Sequence, residues 1–505
     1  MTSRPPNIGR RLKVGAKWSG AEIVLNLPLR LATLAILARL LSPTEFGIFA
    51  AAVTVIELAR PLGSLSVDHA LVQSKSLSAE TVAFASLFAI GLSSIVALLI
   101  VINADAVRLL YDDPEVPDLL AALALSLPLS TVSGLLLAVL RRKLAFRELS
   151  ITVLLSSAVA AMTSVAVAVL GGGVWALVAG YYADLVLRAF FALRLVRLRL
   201  VRPRLGDEAR RLLRFGGGTT LSLMLNFWAL HGDYVVIGSA LGAKPLGFYS
   251  RAYQLISTVP GMLGNLHNMV LFPAFSRAQS DRTYLQRALL VGTEATAALT
   301  LPLCAWGLVL GPEVIVVLLG PGWDEAILPF QILSLGVYFR TGYRFAASIV
   351  WAKGRVFALS ACQGIYGLLI VVGAVIGARW GIAGVAVATL VALFVFYVLL
   401  YGLTARTIGA SLGSFLGVHV GPSAIFLIVL VTAAPVRWWL VELGAPPALV
   451  LIAAVGAGAA ALLGATWGLR QRLWGELVYE QGLRAVGRYT SPLKGEEEGD
   501  DDVGT

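Results

Sequence analysis

The chain reads as a succession of apolar runs, each about as long as a membrane is thick, separated by short polar turns. A helix needs about 20 predominantly apolar residues to cross the hydrocarbon core. Fourteen runs fit, near residues 20–41, 47–66, 80–103, 118–140, 149–170, 174–193, 215–240, 246–271, 289–310, 326–350, 357–378, 381–404, 414–434 and 447–468. Polar residues interrupt the first, second and seventh. The pattern predicts an all-α polytopic membrane protein whose outer loops are too short for an external catalytic domain.

One phrase occurs twice. "LSPTEFGIFA" begins at Leu41 and "LGAKPLGFYS" at Leu241, so Gly47 pairs with Gly247 and Phe49 with Tyr249 at an offset of 200. At the same offset Asn26 pairs with Asn226 and Leu71 with Leu271. "AVRLLYDDPEV" resembles "VVLLGPGWDEA", and "GGGVWALVAG" resembles "ARWGIAGVAVA", in the same order. Three landmarks in the same order predict two six-helix lobes followed by two extra helices. Six crossings bring the chain back to its starting side, so the repeats are parallel and related by a pseudo-two-fold axis along the membrane normal. The expected division is a basic N-terminus over 1–17, a lobe over 18–193, an Arg-rich linker over 194–214, a second lobe over 215–404, helices 13 and 14 within 405–468, and a tail over 469–505. The two glycines are expected to let the second and eighth helices start close against a neighbour.

Composition agrees with the pattern. The 505 residues are 58% hydrophobic and 14% charged, against about 25% charged in soluble domains. The net charge of +11 is a topology signal. With the N-terminus inside, Lys and Arg collect in the cytoplasmic segments, and the outer loops hold only Arg108, Lys244, Arg379 and Arg437. Both termini are therefore expected in the cytoplasm, and no nucleic-acid partner is implied. The acidic, Gly-rich end "SPLKGEEEGDDDVGT" is expected to be disordered. Cys304 and Cys362 lie in apolar runs and imply no disulfide framework. No cleavable signal peptide is expected.

Ionisable residues within membrane helices are costly, and they face a cavity or each other. Glu22, Asn26, Arg30 and Thr33 share one face of helix 1, within about 80° at 100° per residue. Thr219, Ser222, Asn226 and Asp233 share a face of helix 7; Arg251, Gln254, Thr258 and Asn265 share one on helix 8. Helix 2 carries Glu57 and Arg60, and helix 10 carries Arg340 and Arg344. The expected cationic binding surface is Arg30, Arg60, Arg251, Arg340 and Arg344, with Asn26, Asn226 and Gln254. Glu57, Asp233 and Glu22 are the candidates for ion coupling. The plainer reading pairs Glu22 with Arg30, Glu57 with Arg60 and Asp233 with Arg251. His69 and His419 look interfacial or loop-like, and His231 and His267 look structural. The triple glycine Gly216–Gly218 reads as a hinge at the start of a helix. No phosphate loop, HExxH or GxSxG motif occurs, so neither catalytic residues nor a metal or cofactor is expected.

These motifs resemble a known family. "LARLLSPTEFGIFA", the segment from Asp233 to Asp281, "LLGPGWDEAILPFQILSL" and "RWGIAGVAVATLVA" resemble the oligosaccharide flippases of the polysaccharide transporter family, most of all the colanic acid exporter branch. The resemblance runs from about residue 8 to 470. It implies the multidrug/oligosaccharidyl-lipid/polysaccharide exporter fold, with two lobes around a central cavity. It also implies movement of undecaprenyl-pyrophosphate-linked oligosaccharide repeat units across the inner membrane, by alternating access, for exopolysaccharide or lipopolysaccharide O-antigen assembly. In such flippases a cationic cavity receives the pyrophosphate, and helices 13 and 14 shape a groove for the lipid tail. The implied partners are the lipid-linked oligosaccharide, membrane lipid, and polymerase and chain-length or export proteins, with the monomer as the working unit. Two alternatives remain. A cation-coupled drug or metabolite antiporter of the same superfamily favours an acidic cavity, and a membrane polysaccharide polymerase needs a larger outer loop.

Overall fold

The computed structural model describes residues 8–74, 78–111, 113–196, 201–266, 275 and 278–468. Among them every regular element is a helix. In chain order these are α1 (Ile8–Leu40), α2 (Pro43–Ser64), α3 (Val67–Gln73), α4 (Ala79–Ile102), α5 (Glu115–Ala124), α6 (Ser126–Arg142), α7 (Phe146–Val169), α8 (Trp175–Leu195), α9 (Asp207–Leu241) and α10 (Ala243–Leu266). Then follow α11 (Arg282–Val309), α12 (Gly311–Leu319), α13 (Ile327–Ser334), α14 (Gly336–Ala352), α15 (Val356–Gly377), α16 (Gly381–Ile408), α17 (Leu412–Gly417), α18 (Val420–Glu442) and α19 (Pro447–Gly468), with short 3-10 turns between some of them.

Ten helical stretches of the described residues are long and apolar enough to cross a membrane. The protein is a multi-pass membrane protein. One of the ten, Phe357–Ile408, contains both α15 and α16. Helices α9, α10 and α14 are not among the ten, and they carry Asp233, Arg251, Arg340 and Arg344. Polar residues dilute α9 and α10, and α14, at 17 residues, is also short. His267 and Leu271 lie outside the described residues, as do the tail and residues 1–7.

The repeated phrase builds a crossing. Ser42 caps α2 and accepts from the Glu45 amide, while Glu45 reaches back to the Ser42 amide at 2.6 Å. This reciprocal box satisfies two amides that a helix start otherwise leaves open, and Pro43 suits the first turn because it has no amide to satisfy. At its start α2 meets the start of α10. A Cβ on Gly47 would fall 1.7 Å from the Ala243 carbonyl oxygen, and a Cβ on Gly247 would fall 1.8 Å from that of Pro43. Position 43 plus the offset of 200 is 243, so the two contacts are the same contact seen from each copy. The phrases pack on each other, backbone to backbone, as a pseudo-two-fold relation requires.

A second internal likeness sits in the broken helices. Leu125 interrupts α5–α6 and Leu335 interrupts α13–α14. Beside each break a buried serine turns its hydroxyl onto the carbonyl three residues back: Ser126, just after the first, to Leu123 at 2.6 Å, and Ser334, just before the second, to Gln331 at 2.7 Å. Within a membrane helix a serine hydroxyl can satisfy a carbonyl that the break releases. The triple glycine lies inside continuous α9, where Gly216 approaches the Leu65 carbonyl so closely that a Cβ would fall 2.3 Å from it. Close packing, rather than a break in the helix, accounts for this glycine.

The chain divides into two compact units. The first holds the residues up to Tyr253, with Ile315–Pro329 and Gln363–Thr389; the second holds Gln254–Val314, Phe330–Cys362 and the chain from Leu390 onward. Within the first, Val67, Leu71, Ala85, Ala89, Leu135 and Leu212 form a buried apolar cluster; within the second, Leu310, Ala433 and Ala454 do so. Leu98, Leu99 and Ile102 on α4 stay exposed, as lipid-facing positions do.

Candidate functional site

In the first unit the helices of the repeated phrase carry charge beside aromatic rings. On α2, Arg60 pairs with Glu57 at 2.8 Å and donates to the Tyr181 hydroxyl at 2.6 Å. On α10, the Arg251 guanidinium lies 4.7 Å from the Phe46 ring centroid, an attractive cation–π placement. Phe46 and Phe248, corresponding positions of α2 and α10 except for a shift of two, both meet the edge or face of Trp323, at 5.5 and 5.8 Å. Trp323 is buried and donates to the Ala38 carbonyl at 3.0 Å. Arg39, the neighbour of Ala38, donates to the carbonyls of Val317 and Leu318 at 2.7 and 3.1 Å. It clamps the end of α12 rather than only reaching for the interface.

Asp233 on α9 is buried, at 1% exposure. Its Oδ2 accepts from the Tyr249 hydroxyl at 2.7 Å, and the Thr389 hydroxyl lies 3.5 Å away on α16. Tyr249 and Thr389 are themselves 3.1 Å apart. Phe227, His231, Tyr234 and Tyr253 extend this polar centre as a run of ring contacts along α9 and α10. Among the described ion pairs Glu57–Arg60 is present, whereas Glu22–Arg30 and Asp233–Arg251 are not. On α1, Asn26 is buried with its Oδ1 lacking a hydrogen-bond partner, and Arg30, one turn on, is exposed. Asn226 is half-buried on α9.

The second unit holds Gln254, Arg340 and Arg344. Gln254 is exposed on α10. Arg340 is buried on α14, and the buried Nε of Arg344 has no hydrogen-bond partner. Here the sequence reading of His419 needs correction. The residue lies in the turn between α17 and α18, as the N-cap position of α18, but it is half-buried and hydrogen-bonded rather than free. Its Nε2 hydrogen-bonds the Tyr338 hydroxyl, with the Tyr397 hydroxyl 3.2 Å away, and Tyr338 and Tyr397 bond each other. Tyr181, Tyr249 and Thr389 were likewise not among the expected residues. Only Tyr249 carried a signal, as the aromatic of the repeated phrase.

Outside the membrane helices, Glu208 at the start of α9 fixes the start of α4. It accepts from the Ser78 amide, the Ser78 hydroxyl and the Thr81 hydroxyl at 3.2, 2.9 and 2.8 Å. Thr81 and Ser78 bonds hold its carboxyl below the usual carboxylate range. Tyr111, buried between α4 and α5, has its phenol pushed up to about 12 by burial.

Comparison with known proteins adds the family and the fold. Residues 36–328 match the family described as polysaccharide biosynthesis protein. The succinoglycan biosynthesis transport protein ExoT of Rhizobium meliloti (strain 1021) is 29% identical over 325 residues, 63% of this chain and 65% of that protein. The lipopolysaccharide biosynthesis protein WzxC of Escherichia coli (strain K12) is 24% identical over 349 residues, 68% of this chain and 70% of that protein. The matches thus span about two thirds of these relatives. Among solved structures, the lipid II flippase MurJ in an inward closed conformation superposes with a TM-score of 0.69 at 14% identity, covering 91% of this chain and all of that one. An inward-facing multidrug resistance MATE family transporter gives 0.63 at 14%, covering 75% and 94%. The fold is the one these transporters share.

Proposed function

Because the chain belongs to the polysaccharide biosynthesis protein family, we propose that it is a flippase for undecaprenyl-pyrophosphate-linked oligosaccharide repeat units. The protein is read as lying in the inner membrane with both termini cytoplasmic, crossing it fourteen times as two six-helix lobes, over 18–193 and 215–404, and two further helices. It acts as a monomeric transporter, not an enzyme, and hands its cargo to polymerase and export proteins on the outer side. The names of its relatives support this reading: one is a transport protein for succinoglycan biosynthesis and another a lipopolysaccharide biosynthesis protein.

The observation that carries the reading is the crossing of α2 and α10. Each repeat sends one helix into it, and each of these helices carries an intramembrane arginine, Arg60 or Arg251. A pyrophosphate–sugar head group is anionic and hydrated, so crossing about 30 Å of hydrocarbon unaided is prohibitive. Guanidinium groups bind phosphate oxygens through paired hydrogen bonds, and amides such as Asn26, Asn226 and Gln254 suit sugar hydroxyls. We assign the head-group site to these residues with Arg30, Arg340 and Arg344. Ion coupling is assigned to Asp233, Glu57 and Glu22. The test is deletion of the gene in a polymer-forming host. The expected result is loss of polymer with accumulation of lipid-linked repeat units on the cytoplasmic leaflet; normal polymer, or repeat units accumulating on the outer leaflet, refutes the reading.

A further inference from the structure

We propose that His419, with Tyr338 and Tyr397, forms a proton-binding site in the second unit whose occupancy is read by the transport cycle; the second half of this statement rests on the flippase reading, the first does not.

The tautomer follows from the neighbours. Nδ1 of His419 lies 2.8 Å from the Phe415 carbonyl oxygen. A carbonyl can only accept, so Nδ1 carries the hydrogen, and in the neutral ring Nε2 is the bare, accepting nitrogen. Nε2 faces hydroxyls: Tyr338 on α14 and Tyr397 on α16, which are 4% and 3% exposed. The chain of polar groups continues. The Tyr397 ring lies 4.5 Å from that of Tyr401, the Tyr401 hydroxyl is 2.8 Å from the Thr293 hydroxyl, and Thr293 donates to the Leu289 carbonyl at 2.7 Å.

This row of hydroxyls has two settings. With His419 neutral, Tyr338 donates to Nε2, Tyr397 donates to Tyr338, Tyr401 donates to Thr293, and Thr293 donates to Leu289. With His419 protonated, Nε2–H donates to Tyr338, Tyr338 to Tyr397 and Tyr397 toward Tyr401, and the rest is unchanged. Only two hydroxyl hydrogens rotate between them. The proton arrives as hydronium, which leaves as water, and no covalent bond other than N–H forms. A buried polar group is costly when unsatisfied, and His419 Nε2 and the Tyr338 hydroxyl keep a partner in both settings.

Among the described residues the imidazole has no ionic partner that would hold it permanently charged. The charged residues on the packed elements are Arg282, Arg287 and Glu294 on α11, Arg340 and Arg344 on α14, Arg406 on α16, and Arg437 and Glu442 on α18. None of them is among the described contacts of His419; its polar partners are Tyr338, Tyr397 and the Phe415 carbonyl. Three helices and the short α17 meet at this one ring, so a change in its hydrogen-bond polarity reaches α14, α16 and α18 together.

The test uses the full chain with ring-15N-labelled histidine in lipid. The chain has four histidines, and subtracting the spectrum of His419→Gln assigns the signal. The expected result is an Nδ1–H tautomer at high pH that becomes doubly protonated between pH 5 and 8, with a midpoint that moves in Tyr338→Phe. An Nε2–H tautomer, or no titration in that window, overturns the site. Should His419→Gln fail to insert, the tautomer and the Tyr338→Phe shift carry the same decision. For the coupling, polymer export is measured in cells with an intact inner membrane, with and without nigericin, which collapses the pH gradient. Wild-type export should fall several-fold, and residual export by His419→Gln should not respond. An equal response of both overturns the coupling. If the wild-type chain supports no export at all, the flippase reading fails, and the NMR result still judges the proton site.

Discussion

Replacing Gly47 by alanine places a methyl group 1.7 Å from the Ala243 carbonyl oxygen and 2.5 Å from its carbon. Cβ atoms essentially never come within 3.0 Å of such atoms, so the starts of α2 and α10 must separate by roughly 1.3 Å at least. The obstacle is backbone, which cannot swing aside as a side chain can. Overpacking of this kind costs about 1–3 kcal/mol, or roughly 5- to 150-fold in an equilibrium between closed and separated helices. Gly247→Ala meets the Pro43 carbonyl at 1.8 Å and should cost about the same. The distinctive expectation concerns the double variant. One separation of the helices relieves both clashes, so the two costs should combine to clearly less than their sum. The assay is thermal unfolding of the purified single and double variants, with Gly91→Ala as the control, because a Cβ there meets nothing within 4 Å. Additive costs, or a Gly47→Ala variant no less stable than Gly91→Ala, would refute the reciprocal contact.

Three further outcomes follow from the same reasoning. Arg→Lys keeps the charge and loses the paired donors, so Arg251→Lys should lower polymer export nearly as far as Arg251→Ala. Arg60→Lys should be better tolerated because Glu57 can still pair with it; normal export by well-inserted Ala variants at Arg30, Arg60, Arg251, Arg340 and Arg344 would dismiss the cationic site. Glu208 has its carboxyl depressed in the folded state, so its stabilising effect is present above the ordinary carboxylate range and disappears as pH falls through the lowered value. Melting temperature should drop over that acid interval in the wild type and show a smaller drop in Glu208→Gln. Reporter fusions at the C-terminal tail and within 104–117 should report opposite sides of the membrane, and the same side for both would end the fourteen-crossing topology.

The repeat was legible because glycine and its neighbours are required wherever two backbones touch, and the offset of 200 held for both partners of the contact. What the sequence could not say is that the two phrases touch each other rather than other helices. A helical face calculated at 100° per residue identifies which residues look the same way, not what they look at. Asp233 and Arg251 sit on adjoining helices and invited pairing. Folding instead brings Tyr249 from the facing turn, and Thr389 from 156 positions away. Arg60 was readable, since Glu57 lies one turn before it. The surroundings of His419 were not: "SFLGVHVGP" has the glycines and proline of a loop, yet its first four residues end α17 and its last three begin α18, which places the ring beside two distant tyrosines. The polar residues that interrupt the first, second and seventh runs were the local sign that α1, α2 and α9 carry polar faces.

The central claim is movement of an anionic lipid-linked sugar across the bilayer, and proteoliposomes measure it most directly. Purified protein is reconstituted with undecaprenyl-pyrophosphate-linked oligosaccharide extracted from the deletion host, and a glycosidase added outside reports the fraction of head groups within reach. The account predicts that this fraction rises with time in vesicles containing the protein, falls back in Arg251→Ala vesicles, and stays constant in protein-free vesicles. Equal accessibility with and without protein would contradict it.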